Sequence, residues 1–462
     1  MQMRVEATSI PGLLVVHLDV HGDDRGWFKE NWQREKMVAS GLPDFGPVQN
    51  NMSFNDKAGT LRGIHAEPWD KLVSAAQGRF FGAWVDLREG TSFGTVFTLV
   101  VDESVAVYVP RGVGNSYQTL TDNVTYSYLV NDHWSADLIP QYSYVNVSDP
   151  TLAIPWPIPL DQAEISDKDR NHPSLSDAKR VSPRKTLILG ANGQLGRALS
   201  VVFPDADRFD VDTLDLADSH QVEAFDWRDY GLVLNAAAWT NVDGAETPEG
   251  RTGAWRANAV VPATLARLAV EHRHVLVHIS SDYVFDGTHD SWTEADGFAP
   301  LSVYGQSKAA GDVAVSVVPR HYLIRTSWVV GDGRNFMGIM GDLADKGVSP
   351  SVVNDQVGRL THTSNLAAAI HHLVEVGAPY GTYNCTDGGP PVSWAQIAKS
   401  VFVAHGRNAD DVKEVTTQEY YAGKEFIAAR PRSSVLDLGK LEATGYRVPT
   451  YPLDIGREER DV

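Results

Sequence analysis

Tyr304 and Lys308 stand four residues apart in Tyr304-Gly305-Gln306-Ser307-Lys308, a spacing that puts both side chains on one face of a helix. A phenol with a reference pKa of about 10 gives up or takes a proton reluctantly near neutrality. A neighbouring ammonium stabilises the phenolate and lowers that value, so Tyr304 could protonate a carbonyl oxygen as hydride reaches its carbon. Upstream, Ser280-Ser281-Asp282-Tyr283-Val284-Phe285-Asp286-Gly287 follows an apolar strand and offers hydroxyls to the same oxygen. Polar clusters just beyond a strand's C-terminal end are where open α/β sheets bind ligands. Without that setting, a Tyr and a Lys at this spacing could equally be an exposed surface pair.

The run Gly190-Ala191-Asn192-Gly193-Gln194-Leu195-Gly196 lies between an apolar strand and a helical stretch. Glycines there let the backbone approach a pyrophosphate, whose charge meets the N–H groups and positive end of the helix. A tight turn with no ligand is the plainer reading of the glycines alone, and the strand–turn–helix setting favours a dinucleotide. Asp210 suits a free ribose hydroxyl, whereas Arg208 could accommodate a 2′-phosphate, so NADH and NADPH both stay open.

Ionisable groups also gather in Asp24-Arg25-Gly26-Trp27-Phe28, in Leu61-Arg62-Gly63-Ile64-His65, and at Lys71. A ketone acidifies its neighbouring C–H bonds, yet removing the proton needs a base and a cation to hold the enolate oxygen. His65 and Lys71 supply those types, although a lone His on a strand is more often structural.

The elements that must hold these groups follow two patterns. As far as about Trp156 the chain reads as short β-branched and aromatic runs (80–87, 95–101, 105–109, 124–130) broken by Gly, Asn, Asp and Pro, which is the mark of an antiparallel sandwich or barrel. From Lys185 on, apolar strands (186–189, 232–234, 275–279, 322–325) alternate with helical stretches (255–271, 307–318), which implies a doubly wound parallel sheet. The polar stretch DKDRNHPSLSDAKRVSPRK between them reads as a tail and linker, with the boundary near Val181 and domains of 1–181 and 182–462.

From about Lys185 to Gly456 the motifs GANGQLG, NAAAWTNVD, HISSDYVFDG, SVYGQSK, RTSWVVGDGRNF and NDQVG resemble the extended short-chain dehydrogenase/reductase family, and within it the dTDP-4-dehydrorhamnose reductases. The resemblance implies an α/β Rossmann domain with a small substrate-binding lobe and a catalytic set of Ser281, Tyr304 and Lys308, Ser281 standing for the usual Thr. Implied cofactor contacts are Gly190, Asn192, Gly193, Gln194, Leu195, Gly196, Asp215, Leu216, Asn235, Ala236 and Ala237, with Tyr304 and Lys308. Implied sugar and nucleotide contacts are Ser281, Asp282, Trp328, Asn354, Gln356 and Arg430. Two departures concern the rim: Asp355-Gln356-Val357-Gly358-Arg359-Leu360-Thr361 lacks the family's proline, and 420–431 diverges from its YPTPARRP. Arg197 stands where some relatives place a metal-binding Glu, so no metal is expected.

From about Ile10 to Ser176, DDRGWFKENW, PVQNNMSFN, TLRGIHAE, WVDLREGTSFG, VYVPRG, YLVNDHW, DPTLAIPWP and SDKD resemble the dTDP-4-dehydrorhamnose 3,5-epimerases, which implies a cupin-type β jelly roll. Carried over, His65 is the base, Asp169 orients and charges it, Lys71 steadies the oxyanion, and Tyr128 returns a proton from the opposite face. Arg25, Glu30, Gln49, Asn51, Arg62, Asn115 and Trp134 become substrate contacts. Asn115 replaces a family His and Glu67 a frequent Gln, which puts one phosphate or sugar contact in question.

Together the two resemblances imply consecutive reactions: inversion at C3 and C5 of dTDP-4-dehydro-6-deoxyglucose, then NADPH- or NADH-dependent reduction at C4. The rival reading is a reductase for a related 6-deoxyhexose, with the barrel as a non-catalytic binding or dimerisation module. The family also implies a homodimer through the jelly roll. Composition bounds the rest: 40 basic against 59 acidic residues give a net charge of −19, which disfavours nucleic acid as a partner. No apolar run reaches the roughly 20 residues of a membrane span, no secretion signal is expected, and the lone Cys385 leaves no internal disulfide, all of which points to the cytoplasm.

Overall fold

The structure, a computed structural model, describes residues 3–450; Gly456, the far end of the reductase resemblance, lies outside the described residues. The chain divides into two compact units between Pro183 and Arg184.

In the first unit the strands are β1 (Arg4–Ala7), β2 (Leu14–His17), β3 (Val20–Asp23), β4 (Gly26–Lys29), β5 (Gln49–Asn55), β6 (Thr60–Ala66), β7 (Lys71–Gln77), β8 (Phe80–Asp86), β9 (Val96–Val101), β10 (Val105–Val109), β11 (Val113–Thr119), β12 (Val124–Val130), β13 (Ser143–Tyr144) and β14 (Glu164–Ile165). Helices α1 (Arg34–Ala39) and α2 (Asp167–Arg170) are short. One antiparallel sheet runs β1-β2-β10-β7-β12-β5 and a second runs β13-β6-β11-β8-β9, with β14 alongside β6 and β3–β4 a separate hairpin. Inward residues of both sheets make one core around Val73, Val107, Tyr126, Phe80, Trp84 and Tyr117. Gly82 is bare because the Trp84 ring lies where its Cβ would sit, 2.3 Å away.

The stretch expected to be tail and linker is instead packed into this unit. Ala178 and Val181 are buried in a core cluster with Ile64, Val85 and Leu87, Val181 bridges Arg88, and Asp169 is almost wholly buried on α2. Polar composition hid this because only a few apolar side chains, widely spaced, do the anchoring.

In the second unit the strands β15 (Lys185–Leu189), β16 (Asp207–Phe209), β17 (Tyr230–Asn235), β18 (Val275–Ser281), β19 (His321–Thr326) and β24 (Gly381–Asn384) form a parallel sheet ordered β16-β15-β17-β18-β19-β24. The helices are α3 (Gln194–Val202), α4 (Ser219–Ala224), α5 (Pro248–Trp255), α6 (Val261–His272), α7 (Val303–Ser316), α8 (Phe336–Asp345), α9 (Thr363–Glu375), α10 (Trp394–Ala404) and α11 (Thr417–Tyr421). Leu195, Leu199, Leu366 and Ile370 from α3 and α9 pack with Ile188, Leu234 and Val277. Alternate strand residues Leu187, Leu189, Val233 and Leu276 pack with Leu265, Leu268 and Val315 from α6 and α7, so helices cover both faces. A smaller lobe joins α8 and α10 to the short pairs β20 (Val329–Val330)–β23 (Thr361–His362), β21 (Ser351–Val353)–β26 (Lys413–Val415) and β22 (Val357–Gly358)–β25 (Val392–Ser393), with Met340, Val352, Ala398 and Phe402 in its core.

Two helices begin earlier than their apolar periodicity suggests. The stretch expected over 255–271 opens at Pro248, capped by Thr247, and passes through a wider turn over Arg256–Val260 before α6. That expected over 307–318 opens at Val303 because the Ser302 side chain accepts the Gly305 N–H. The strand order reverses between β15 and β17, and open α/β sheets bind ligands in the crevice at such a point. Among the described residues no helix is long and apolar enough to cross a membrane.

Candidate active sites

In the first unit β6 carries Arg62 and His65, with Asn115 on β11 and Tyr144 on β13 in register with His65. His65 Nε2 donates to Asp169 Oδ1 at 2.9 Å, and Asp169 Oδ2 accepts the Gly63 N–H at 3.4 Å. Ser166 caps α2 by accepting the Asp169 N–H at 3.1 Å, which fixes the carboxylate's approach. Burial alone would raise this carboxyl, but bonding to His65 and the imidazole's charge outweigh it and hold Asp169 below its ordinary value. An anion beside the ring is what an imidazole needs to take up and carry a proton.

The other sheet supplies Lys71 and Tyr128, the latter in register with Val73 on β7 and Asn51 on β5. Lys71 Nζ lies 5.8 Å from the Tyr128 ring centroid and forms an ion pair with Glu67, the lysine buried and the glutamate partly so. Glu67 also accepts the Trp69 indole N–H at 2.9 Å. Burial first, and then the Glu67 charge, push the Tyr128 phenol up to about 12, so it carries its proton at neutral pH.

The remaining expected contacts separate into two groups. Gln49 donates to Asn51 at 2.8 Å and accepts the Trp134 N–H at 3.1 Å, and Arg62 Nε donates to Asn55 Oδ1 at 3.2 Å. Asn115 donates to the Tyr126 hydroxyl at 3.0 Å, so the residue replacing a family His is tied to a core phenol. Arg25 pairs with Asp23 at the tip of the β3–β4 hairpin, Glu30 pairs with Lys36, and the Trp134 ring is exposed.

In the second unit the glycine turn is dictated by close packing. Gly190 has φ +73°, and a Cβ there would lie 2.6 Å from the Ala237 nitrogen; one on Gly196 would lie 2.1 Å from the Gly190 carbonyl oxygen. Gly193 is the N-cap of α3, with Leu195 buried and Gln194 donating to the Arg334 carbonyl at 3.3 Å. Asn235, at the end of β17, accepts the Ala237 N–H at 3.2 Å and contacts His278 at 3.0 Å, which shapes the turn through Ala236. Beside the loop lies a cavity of about 360 Å³ whose lining includes Asn192, Arg197, Arg208, Asp210 and Thr213. Asp210 accepts the Asn192 N–H at 2.8 Å, while Arg208 donates to the Pro204 carbonyl at 2.9 Å. Asp215 accepts the Ala217 N–H at 2.9 Å and lies 4.0 Å from Arg256, with Leu216 packed against the adjoining core. A bare turn, a helix N-terminus and a cavity with two arginines fit a phosphorylated dinucleotide.

Ser281 ends β18, donating to Asp282 at 2.8 Å and accepting the Tyr283 N–H at 3.2 Å. Tyr304 and Lys308 share one face of α7; the buried Lys308 ammonium donates to the Ile279 carbonyl, and the Tyr304 ring meets Tyr283 edge-on at 5.6 Å. The Tyr–Lys spacing predicts a lowered phenol, and the structure gives the reverse. Burial and the Asp282 charge push Tyr304 above its ordinary value. Lys308 is itself lowered to about 8 by burial, opposed by Asp312. Asp282 is buried beneath the hydroxyls and pushed up to about 6 by burial.

Toward the lobe, Trp328 stacks on Trp394 at 3.9 Å and lies over Gly358, where a Cβ would come within 2.9 Å of the indole. Its φ of +46° is a left-handed conformation that a Trp adopts only when its surroundings enforce it. Asn354 donates to Glu414 at 3.1 Å and Gln356 to Thr417 at 3.0 Å. Arg430 donates to Asp243 at 2.9 Å and lies 4.9 Å over the Tyr421 ring.

Comparison with known proteins places each half in a family. The family profile described as RmlD substrate binding domain matches residues 184–457, and that described as dTDP-4-dehydrorhamnose 3,5-epimerase matches residues 7–177. The chain belongs to both families. Its epimerase-family half is 53% identical over 184 residues to the protein RmlC homolog of Streptococcus pyogenes serotype M6, which covers 39% of this chain and 92% of that protein. Its reductase-family half is 36% identical over 277 residues to the dTDP-4-dehydrorhamnose reductase of Aggregatibacter actinomycetemcomitans, covering 56% of this chain and 92% of the relative. Among solved structures, the Bacillus anthracis dTDP-4-dehydrorhamnose reductase in complex with NADP aligns with TM-score 0.54 and 32% identity, over 59% of this chain and 96% of that one. The Clostridium acetobutylicum reductase aligns with TM-score 0.52 and 37% identity, over 59% and 95%.

Sequence reasoning passed over two neighbours of these sites. His172 lies 3.8 Å from Asp169 Oδ1 and stacks on Tyr144 at 4.7 Å. Its signal was its place three residues after Asp169. Asp243, in the NAAAWTNVD motif, carries the ion pair that holds Arg430, and nothing in the sequence links positions 187 residues apart.

Proposed function

We propose that this chain carries out two consecutive reactions on one nucleotide-linked ketone. Residues 1–181 invert C3 and C5 of dTDP-4-dehydro-6-deoxyglucose, and residues 182–462 reduce the C4 ketone to give dTDP-L-rhamnose. The observation that supports it most is one chain holding a carboxylate-backed imidazole, His65–Asp169, together with a Ser281–Tyr304–Lys308 set and a close-packed glycine turn. In the first unit, which we read as a cupin-type jelly roll, His65 removes the proton next to the ketone. Lys71 steadies the resulting oxyanion, and the protonated Tyr128 phenol returns a proton from the other sheet. Glu67 partly neutralises Lys71, and burial together with the Glu67 charge keeps Tyr128 in the donor form.

In the second unit, which we read as a Rossmann domain with a substrate lobe, the turn at 190–196 and Asn235 to Ala237 hold a reduced nicotinamide dinucleotide. NADPH is the form in keeping with the likeness to the NADP-bound Bacillus anthracis reductase, and it supplies hydride to C4. Ser281 orients the ketone oxygen and Tyr304 donates a proton to it. The raised phenol suits this direction, because Tyr304 enters the step protonated. Trp328, Asn354, Gln356 and Arg430 form the nucleotide-sugar side.

A homodimer through the first unit is part of this reading. The edge strand β5 exposes Met52 (66%) and Phe54 (60%), apolar side chains that a second copy would cover. The proposed setting is the cytoplasm, in keeping with a single buried thiol.

The test is incubation of the purified chain with dTDP-4-dehydro-6-deoxyglucose and NADPH in deuterated water. The expected product is the L-rhamnose nucleotide, deuterated at C3 and C5. An unaltered sugar with or without cofactor would overturn the proposal.

A further inference from the structure

His172 is the observation that the two reactions leave unexplained. Its side chain is only 6% exposed, and neither ring nitrogen has a hydrogen-bond partner among the described residues. Leaving a buried donor unmade costs the full desolvation of that group, so a group kept in that state calls for a partner. Its Nε2 faces Asp169 Oδ1 at 3.8 Å, on the oxygen that also takes the His65 Nε2 at 2.9 Å.

The ligating atoms of His65, Asp169 and His172 all lie within 4.8 Å of one another. Asp169 Oδ2 is occupied by the Gly63 N–H, which turns Oδ1 toward both imidazoles. An ion with bonds of about 2.0–2.2 Å in tetrahedral geometry sets neighbouring ligand atoms about 3.4 Å apart. The two separations from Asp169 Oδ1, 2.9 and 3.8 Å, straddle that value, and closer approach of the two imidazole nitrogens, which lie within 4.8 Å of each other, brings all three onto one centre. Two imidazoles and one carboxylate form a donor set that suits Zn²⁺ and leaves a fourth position for water. The rings are braced for this: His172 lies against Tyr144, and His65 meets both Tyr144 and His172 edge-on at 5.5 and 5.3 Å.

We infer that His65, Asp169 and His172 form a binding site for Zn²⁺ or a similar divalent transition-metal ion, one that competes with proton transfer at His65. Ligation at His65 Nε2 displaces the proton that this nitrogen shares with Asp169 Oδ1, which passes to Nδ1 or to solvent, and the ion's two positive charges then sit against the ring that has to gain a proton. Metal binding needs no assumption about substrate; the effect on proton transfer rests on the epimerase reading above.

Co²⁺ serves as the probe, because its visible spectrum reports tetrahedral N/O coordination. Titration of the full-length chain is expected to give saturable binding that Zn²⁺ displaces. His172→Phe keeps an aromatic ring against Tyr144 but has no ligand nitrogen. It is expected to weaken binding by about 100-fold or more, beyond the 10–100-fold attached to losing an outer partner. Binding as tight in His172→Phe as in the unaltered chain overturns the site. If that variant does not fold, X-ray absorption at the zinc edge of the unaltered chain decides: imidazole scattering supports the site, and its absence overturns it. Zn²⁺ is also expected to stop deuterium exchange beside the ketone, with recovery on adding a chelator. Tight binding that leaves exchange running keeps the metal site and counts against His65 as the base.

Discussion

His65 Nε2 and Asp169 Oδ1 meet at 2.9 Å although 104 positions separate the two residues in the chain, and the carboxylate is nearly closed off from solvent. Asp169→Asn keeps the side chain's shape and removes its charge, so His65 loses the anion that stabilises its protonated form. Solvent-deuterium exchange at C3 and C5 should fall by about 10²–10⁴, the range for one positioned acid–base group. NADPH binding by the second unit should be unchanged, which nuclear magnetic resonance of the sugar and a cofactor titration read separately.

Tyr128 lies on the other sheet and holds its proton firmly. In Tyr128→Phe the base can still remove a proton and return it to the same face. Exchange should therefore persist within about tenfold while net inversion falls by about 10²–10⁴. Equal loss of both would remove Tyr128 from the role of proton donor.

Lys308 has its ammonium pushed down to about 8 by burial. The rate of ketone reduction should drop above about pH 8 as the charge disappears, and Lys308→Met should lose that descending limb together with most of the rate. The linkage sign runs the other way for stability. Between about pH 8 and the unfolded-state value near 10.4, the unfolded chain binds the extra proton, so the contribution of Lys308 to stability rises with pH across that window. Thermal melts of the unaltered chain and Lys308→Met, compared at pH 7 and pH 9.5, measure it.

Gly196→Ala would place a methyl 2.1 Å from the Gly190 carbonyl oxygen, which is backbone and cannot swing away. The expected loss is about 1–3 kcal/mol of stability in the second unit, as for an overpacked core position. Cofactor affinity should fall with it. Calorimetry and fluorescence titration of NADPH test the two effects.

What could be read from the sequence followed the range of the underlying physics. The glycine turn, the Tyr304–Lys308 face and the alternating strands of both halves are local patterns of backbone freedom and side-chain period, and each appears in the fold. The pairing of His65 with Asp169 came only through family resemblance, because nothing local ties a strand histidine to an aspartate on a later one-turn helix. Burial was the least legible property. It reversed the expected shift of Tyr304, since the closed surroundings and the Asp282 charge raise the phenol while the lysine is turned to the Ile279 carbonyl. It also made the supposed linker a packed part of the first unit.

That packed segment bears on any attempt to split the chain. A cut placed where the last long strand of the first unit ends would leave a fragment with its histidine in position and its carboxylate on the other piece. During synthesis, too, the ring on β6 must wait for more than a hundred further residues to leave the ribosome before its acid partner can dock. The carboxylate and the Val181 bridge to Arg88 thus both belong to the last stretch of the first unit, which ends at Pro183.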